Sequence, residues 1–112
     1  MDATFVELPP FQGALAGYLD DGAFQALQQL LLADPEAGDL IPGAGGLRKV
    51  RFLDKRRGKG KRGGLRIIYY WWPAGAQLWL FAIYDKREVR DLTPLQRTFL
   101  KKLLISERNA RH

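Results

Sequence analysis

A cluster of Arg, Lys and Tyr side chains gathers around three strand-like stretches between residues 49 and 87 of this chain, chiefly Lys49, Arg51, Lys59, Lys61, Arg62, Arg66, Tyr84, Lys86 and Arg87. Arg offers a planar fork that pairs with phosphate through two hydrogen bonds, and Lys a mobile point charge. An aromatic ring can stack on an unpaired base. Together they suit RNA or single strands. The same set is also sufficient for strand cleavage without histidine. The 2′-hydroxyl attacks its own phosphate once a group takes its proton, cations stabilise the charge on phosphorus, and a donor protonates the leaving oxygen. Arg stays charged and can only stabilise, whereas a Lys crowded by other cations can serve as a base. Pure binding uses the same residues, so composition alone does not separate binding from cutting.

Other chemistries are poorly supplied. There is no Cys, which removes thiolate nucleophiles and disulfides, and the single His is His112 at the end of the chain. Neither a metal site nor a cofactor is expected. The stretch GAGG at 43–46 precedes a strand pattern instead of joining a strand to a helix, and reads as a turn; no Walker pattern is present. Most carboxylates sit at helix starts in the N-terminal half, where capping explains them.

The distribution of charge sharpens the reading. Net charge is +6, yet residues 1–47 hold seven acids and no Lys or Arg, while residues 48–66 hold ten of the 18 cations and one acid, Asp54. At its centre lies RRGKGKRGG (56–64), whose glycines let backbone N–H groups approach phosphate oxygens. Such asymmetry implies a polyanionic partner. The N-terminus MDATFVELPP lacks the features of a signal peptide, and no apolar run approaches the roughly 18 residues of a membrane span. A cytoplasmic protein with no membrane partner is expected, folded as one domain over 1–112.

The elements that must carry these groups follow from periodicity. Residues 3–8 form a short edge strand before Pro9 and Pro10, which fit the first turn of a helix with Phe11, Leu15 and Leu19 on one face. Asp20 and Asp21 offer N-cap oxygens to a second helix through Ala23, Phe24, Leu27, Leu30 and Leu31, ending near Asp34 ahead of Pro35. Residues 35–46 read as a loop. In LRKVRFL, Val50 and Phe52 point one way and Lys49 and Arg51 the other, as in a strand with one buried and one cationic face. LRIIYYWW and AQLWLFAIY, joined around Pro73, Ala74 and Gly75, form two central strands. Thr93, Pro94 and Gln96 match a capping box for a last helix, with Leu95, Phe99 and Leu103 as its apolar stripe and Arg97, Lys101 and Lys102 off it. The order β, α, α, β, β, β, α describes an α+β domain, a small and mainly antiparallel sheet flanked by helices.

The segments GDLIPGAGGLRKVRF (38–52), GKGKRGGLRIIYYW (58–71), IYDK (83–86) and DLT (91–93) together resemble the RelE/HigB family of bacterial type II toxins, its HigB branch in particular. The match runs in order from about residue 20 to residue 100. The resemblance implies the RelE/ParE-like toxin fold and a metal-independent endoribonuclease, an mRNA interferase that cuts translated messages in the ribosomal A site. It further implies neutralisation by a cognate antitoxin of the helix-turn-helix type, through which DNA is reached only indirectly. Carried over, the catalytic set is Lys49, Arg51, Arg66, Tyr84 and Lys86. Arg66 falls on the phosphate-binding Arg and Tyr84 and Lys86 on the Tyr-x-Lys segment, while Arg87 overlays a basic residue near the leaving group. Arg48, Lys59, Lys61, Arg62 and Arg87 form the RNA- and ribosome-binding set.

Two departures from the family pattern stand out. Arg51 occupies the place of a second strand Lys that acts as base in RelE toxins, so Lys49, Lys59, Lys61 or Lys86 must take that part. The C-terminal Tyr typical of RelE is replaced near Thr93, a helix cap. Two alternatives belong to other classes. A ParE-like toxin would block DNA gyrase without nuclease activity, although the density of cations argues against it; a non-catalytic RNA-binding module would show salt-sensitive affinity and no cut strand.

Overall fold

A computed structural model describes residues 2–53 and 64–111. Its elements run β1 (Thr4–Glu7), α1 (Pro9–Tyr18), α2 (Asp21–Ala33), β2 (Asp39–Leu40), β3 (Arg48–Phe52), β4 (Leu65–Trp72), β5 (Gln77–Asp85) and α3 (Pro94–Ala110). The expected α+β class holds, with the two-residue strand β2 added inside the stretch read as a loop. Lys59, Lys61, Arg62, Asp54 and His112 lie outside the described residues.

Local chemistry accounts for the element ends. Pro9 and Pro10 occupy the first turn of α1, where a missing N–H costs nothing. The Asp20 carboxylate accepts from the Ala23 amide at 2.8 Å and caps α2. Asp34, ahead of Pro35, is extended (φ −151°, ψ 93°) and closes that helix. Thr93 and Gln96 form the reciprocal capping box at the start of α3, with bonds of 3.1 and 2.9 Å. GAGG is a turn, with Gly43, Gly45 and Gly46 at φ of 70°, 74° and 115°, a region open to glycine at little cost.

The strands form one sheet in the order β1-β5-β4-β3-β2, antiparallel except for β1 against β5. β4 and β5 are interior, which explains apolar groups on both their faces. One face packs Val50, Phe52, Ile67, Tyr69, Leu78, Leu80 and Ile83 against Phe11, Leu19, Leu27 and Leu31 of the first two helices. On the other, Ile68, Trp79, Phe81 and Tyr84 meet Leu100 and Leu104 of α3 together with Leu8, Ala44 and Leu47.

Two features were not legible locally. Ile68 pairs with Ala82 but Tyr69 with Leu80, so Phe81 is an extra residue in β5. This bulge resets the alternation, and Tyr84 consequently shares a face with Trp79 and Phe81 instead of with Leu80. The stripe expected on the last helix is also displaced. Leu100 and Leu104 are buried, whereas Leu95 and Phe99 are 81% and 57% exposed. The sequence carries two i, i+4 apolar rows offset by one residue, and packing selected the second.

Candidate nucleic-acid interface

The register of the three long strands assembles the site. Arg51 pairs with Arg66 across β3 and β4, and Arg66 with Tyr84 across β4 and β5. Directly opposed residues share a face and bring their Cβ atoms to roughly 4.5–5.5 Å. Three residues distant in sequence thus make one row on the side of the sheet that α3 covers only in part. Two arginines opposed in this way repel each other unless an anion lies between them. Arg66 also donates to the Leu65 carbonyl at 3.4 Å. Lys49 is two residues before Arg51 and lies on the same face.

Asp91, an acid that the sequence reading passed over, enters this group from the segment between β5 and α3. Its Oδ1 accepts from Lys49 Nζ at 3.3 Å and from the Leu92 amide at 2.8 Å. The Leu92 hydrogen bond is the largest influence and lowers its pKa; burial opposes it, and Lys49 and then Lys86 add to the lowering, so the carboxyl is held below the ordinary carboxylate value. Asp91 is therefore a fixed acceptor among cations. The only sequence signal for it was its place in DLT, just ahead of the Thr93 cap.

Tyr84 is 7% exposed and belongs to the cluster against which Val89 and Leu92 pack. Its ring is covered, so base stacking on it does not fit this arrangement. Its hydroxyl is buried and finds no hydrogen-bond partner among the described residues. Burial first, then the nearby Asp91 carboxylate, raise its pKa, while Arg66 lowers it. An orphaned buried hydroxyl is costly.

Lys86 lies just past β5, its amide bonded to the Gly64 carbonyl at 3.2 Å, and its charge acts on Asp91 through space. The remaining two described cations of the expected set are engaged elsewhere. Arg48 faces the α2 side and donates to the Gly38 carbonyl at 2.8 Å and to the Glu36 carboxylate at 3.3 Å. It clamps the loop before β2. The Arg87 guanidinium is paired with Asp85 at 2.8 Å, which raises its pKa further above the usual arginine value. Since Asp85 follows Tyr84 in the strand, it points to the opposite face. Neither Arg48 nor Arg87 is brought to the Arg51–Arg66–Tyr84 row.

Among the described residues, no cluster of three or more His, Cys, Asp or Glu is placed to hold a metal ion. No helix among them is long and apolar enough to cross a membrane.

The arrangement can grip a phosphate between two arginines, place an acceptor and two ammonium groups around it, and offer one hydroxyl. No protein-family model matches the chain. Among solved structures, it is similar to an arginine-to-alanine double mutant of the E. coli toxin RelE in the free state. The superposition has a TM-score of 0.54 at 14% identity, covering 80% of this chain and 90% of that one. The fold is RelE-like.

Proposed function

We propose that this protein is the toxin of a type II toxin–antitoxin pair, an mRNA interferase of the HigB branch that cuts translated message in the ribosomal A site. The observation that carries the reading is the Arg51–Arg66–Tyr84 row with Lys49, Lys86 and Asp91 beside it. A fold similar to that of a protein described as the toxin RelE supports it, as does the family resemblance of the sequence segments. The cognate antitoxin is of the helix-turn-helix type.

Arg51 and Arg66 hold the scissile phosphate and its developing charge. The 2′-oxygen bonds to phosphorus as the bond to the 5′-oxygen breaks, so one proton leaves the 2′-hydroxyl and one reaches the 5′-oxygen. Lys49 and Lys86 move these protons, with Asp91 orienting Lys49. RNA entry uncovers the Tyr84 hydroxyl, which then donates to a phosphate oxygen. Lys59, Lys61 and Arg62 serve docking to ribosomal RNA.

A reporter message in a translating extract tests this. Wild-type protein cuts it, and Arg66→Ala loses at least about a hundredfold in rate, the scale of one transition-state charge contact, with an unchanged circular dichroism spectrum. An intact message with the wild-type protein refutes the nuclease reading. Inhibition of gyrase supercoiling in its place would establish the ParE-like alternative.

A further inference from the structure

Beside the row, a cavity of about 220 Å³ is bounded by β2, β3, the segment after β5 and the first turns of α3. Leu40 and Leu92 give it apolar walls, Lys49 and Arg97 bring donors, and Asp39 and Asp91 bring acceptors. Two cations and two carboxylates leave no net charge. That balance disfavours a phosphate or a metal ion and suits a flat neutral ligand with a donor edge and an acceptor edge. Arg97 carries a second signal: its Nε is buried and has no hydrogen-bond partner among the described residues. Position matters too. Lys49 at the cavity stands two residues from Arg51 on β3, roughly 6.6 Å along the strand, so a group held there is within one nucleotide of a phosphate held by Arg51 and Arg66.

We propose that this cavity takes a guanine base of the RNA strand, with the Arg97 guanidinium donating to O6 and N7 and Asp39 accepting from N1–H and N2–H. Guanine is the base with two adjacent acceptors on one edge and two adjacent donors on another. Asp39 is the direct cross-strand partner of Lys49, so both side chains rise from the same face. Asp91 holds Lys49 in place and is a positioning residue. The inference rests on the reading that the chain acts on RNA and names the base that its site selects.

Titration of the full chain with free nucleosides, following the Arg97 side-chain NMR resonance, tests the cavity without requiring any cleavage. Guanosine shifts that resonance; inosine, which lacks the 2-amino donor, and adenosine bind at least about tenfold more weakly, as expected for one lost paired contact. Arg97→Gln and Asp39→Asn each abolish the preference. Asp39 lies on an exposed two-residue strand, so its variant keeps the test valid if Arg97→Gln fails to fold. Equal binding of guanosine and adenosine, or a guanosine preference that survives in both variants, overturns the proposal. Cleavage of message with no nucleoside discrimination overturns the cavity alone. Guanosine selectivity without any cut message supports the cavity and overturns the nuclease reading.

Discussion

Replacing Tyr84 by Phe separates stability from activity at the centre of the site. The Tyr84 hydroxyl is buried and has no hydrogen-bond partner among the described residues. A buried hydroxyl left unsatisfied costs about 1–3 kcal/mol, and the substitution removes that cost while retaining the ring. Tyr84→Phe is therefore expected to stabilise the fold by about 1 kcal/mol, the lower end being chosen because a small adjustment or a water can relieve part of the penalty. With an unfolding entropy of about 2.1 cal/mol/K per residue, this raises the melting temperature by about 4 °C for a chain of this size. Thermal and urea unfolding measure the change, and cleavage of a reporter message in a translating extract measures activity. Activity should fall at least about tenfold, the scale of one donor to a transition-state phosphate. A loss of 1 kcal/mol or more would mean that the hydroxyl is hydrogen-bonded in the folded protein. Full activity in a stabilised variant would remove Tyr84 from the mechanism.

Tyr69→Phe has the opposite sign. The Tyr69 hydroxyl accepts from the Gly38 amide at 2.9 Å and donates to the Pro35 carbonyl at 2.8 Å, so its removal should cost about 2–3 kcal/mol, read as a lower urea midpoint at unchanged m; a change within experimental error would refute it. Asp91→Asn should alter stability by less than about 1 kcal/mol, because its bridge to Lys49 is largely exposed, but should slow cleavage by misplacing Lys49; an unchanged rate would remove Asp91 from the site. Alkaline pH should unfold the protein. Burial raises the pKa of Tyr69 and Tyr84, and a hydrogen bond to Glu88 raises that of Tyr18. The folded state therefore keeps its phenol protons longer than the unfolded state does. Stability is full below the unfolded value of about 10 and falls as pH rises through the raised folded values, and tyrosinate absorbance and circular dichroism should change together. Gly38→Ala should destabilise the loop before β2, since an added Cβ would stand 2.8 Å from the Tyr69 ring and 2.9 Å from the Lys49 backbone; an unchanged melting temperature would count against that close approach.

Much of the frame was legible in local chemistry. The Pro9–Pro10 start, the Asp20 cap and the Thr93/Gln96 capping box are contacts within a few residues, so residue type and spacing sufficed to locate them. Strand alternation correctly set Lys49 and Arg51 opposite Val50 and Phe52. The density of cations between 48 and 66 and the lack of cysteine likewise require no coordinates.

What the tertiary structure alone decided are the choices that local periodicity leaves degenerate. The offset rows on α3 have the same period, and only contact with Ile68, Trp79 and Phe81 buried Leu100 and Leu104 while leaving Leu95 and Phe99 in solvent. The bulge at Phe81 cannot be read from alternation, because it is the place where alternation fails; yet it turns Tyr84 toward Arg66. Arg48 and Arg87 look like any other cations in the chain, and it is Glu36, Gly38 and Asp85, brought close by the fold, that engage them. Asp91 gains its meaning across 42 residues, from Lys49 on β3. Sequence determines short-range geometry because caps and pleats close over a few bonds. Register, helix rotation and charge pairing at long range are set by which surfaces pack together.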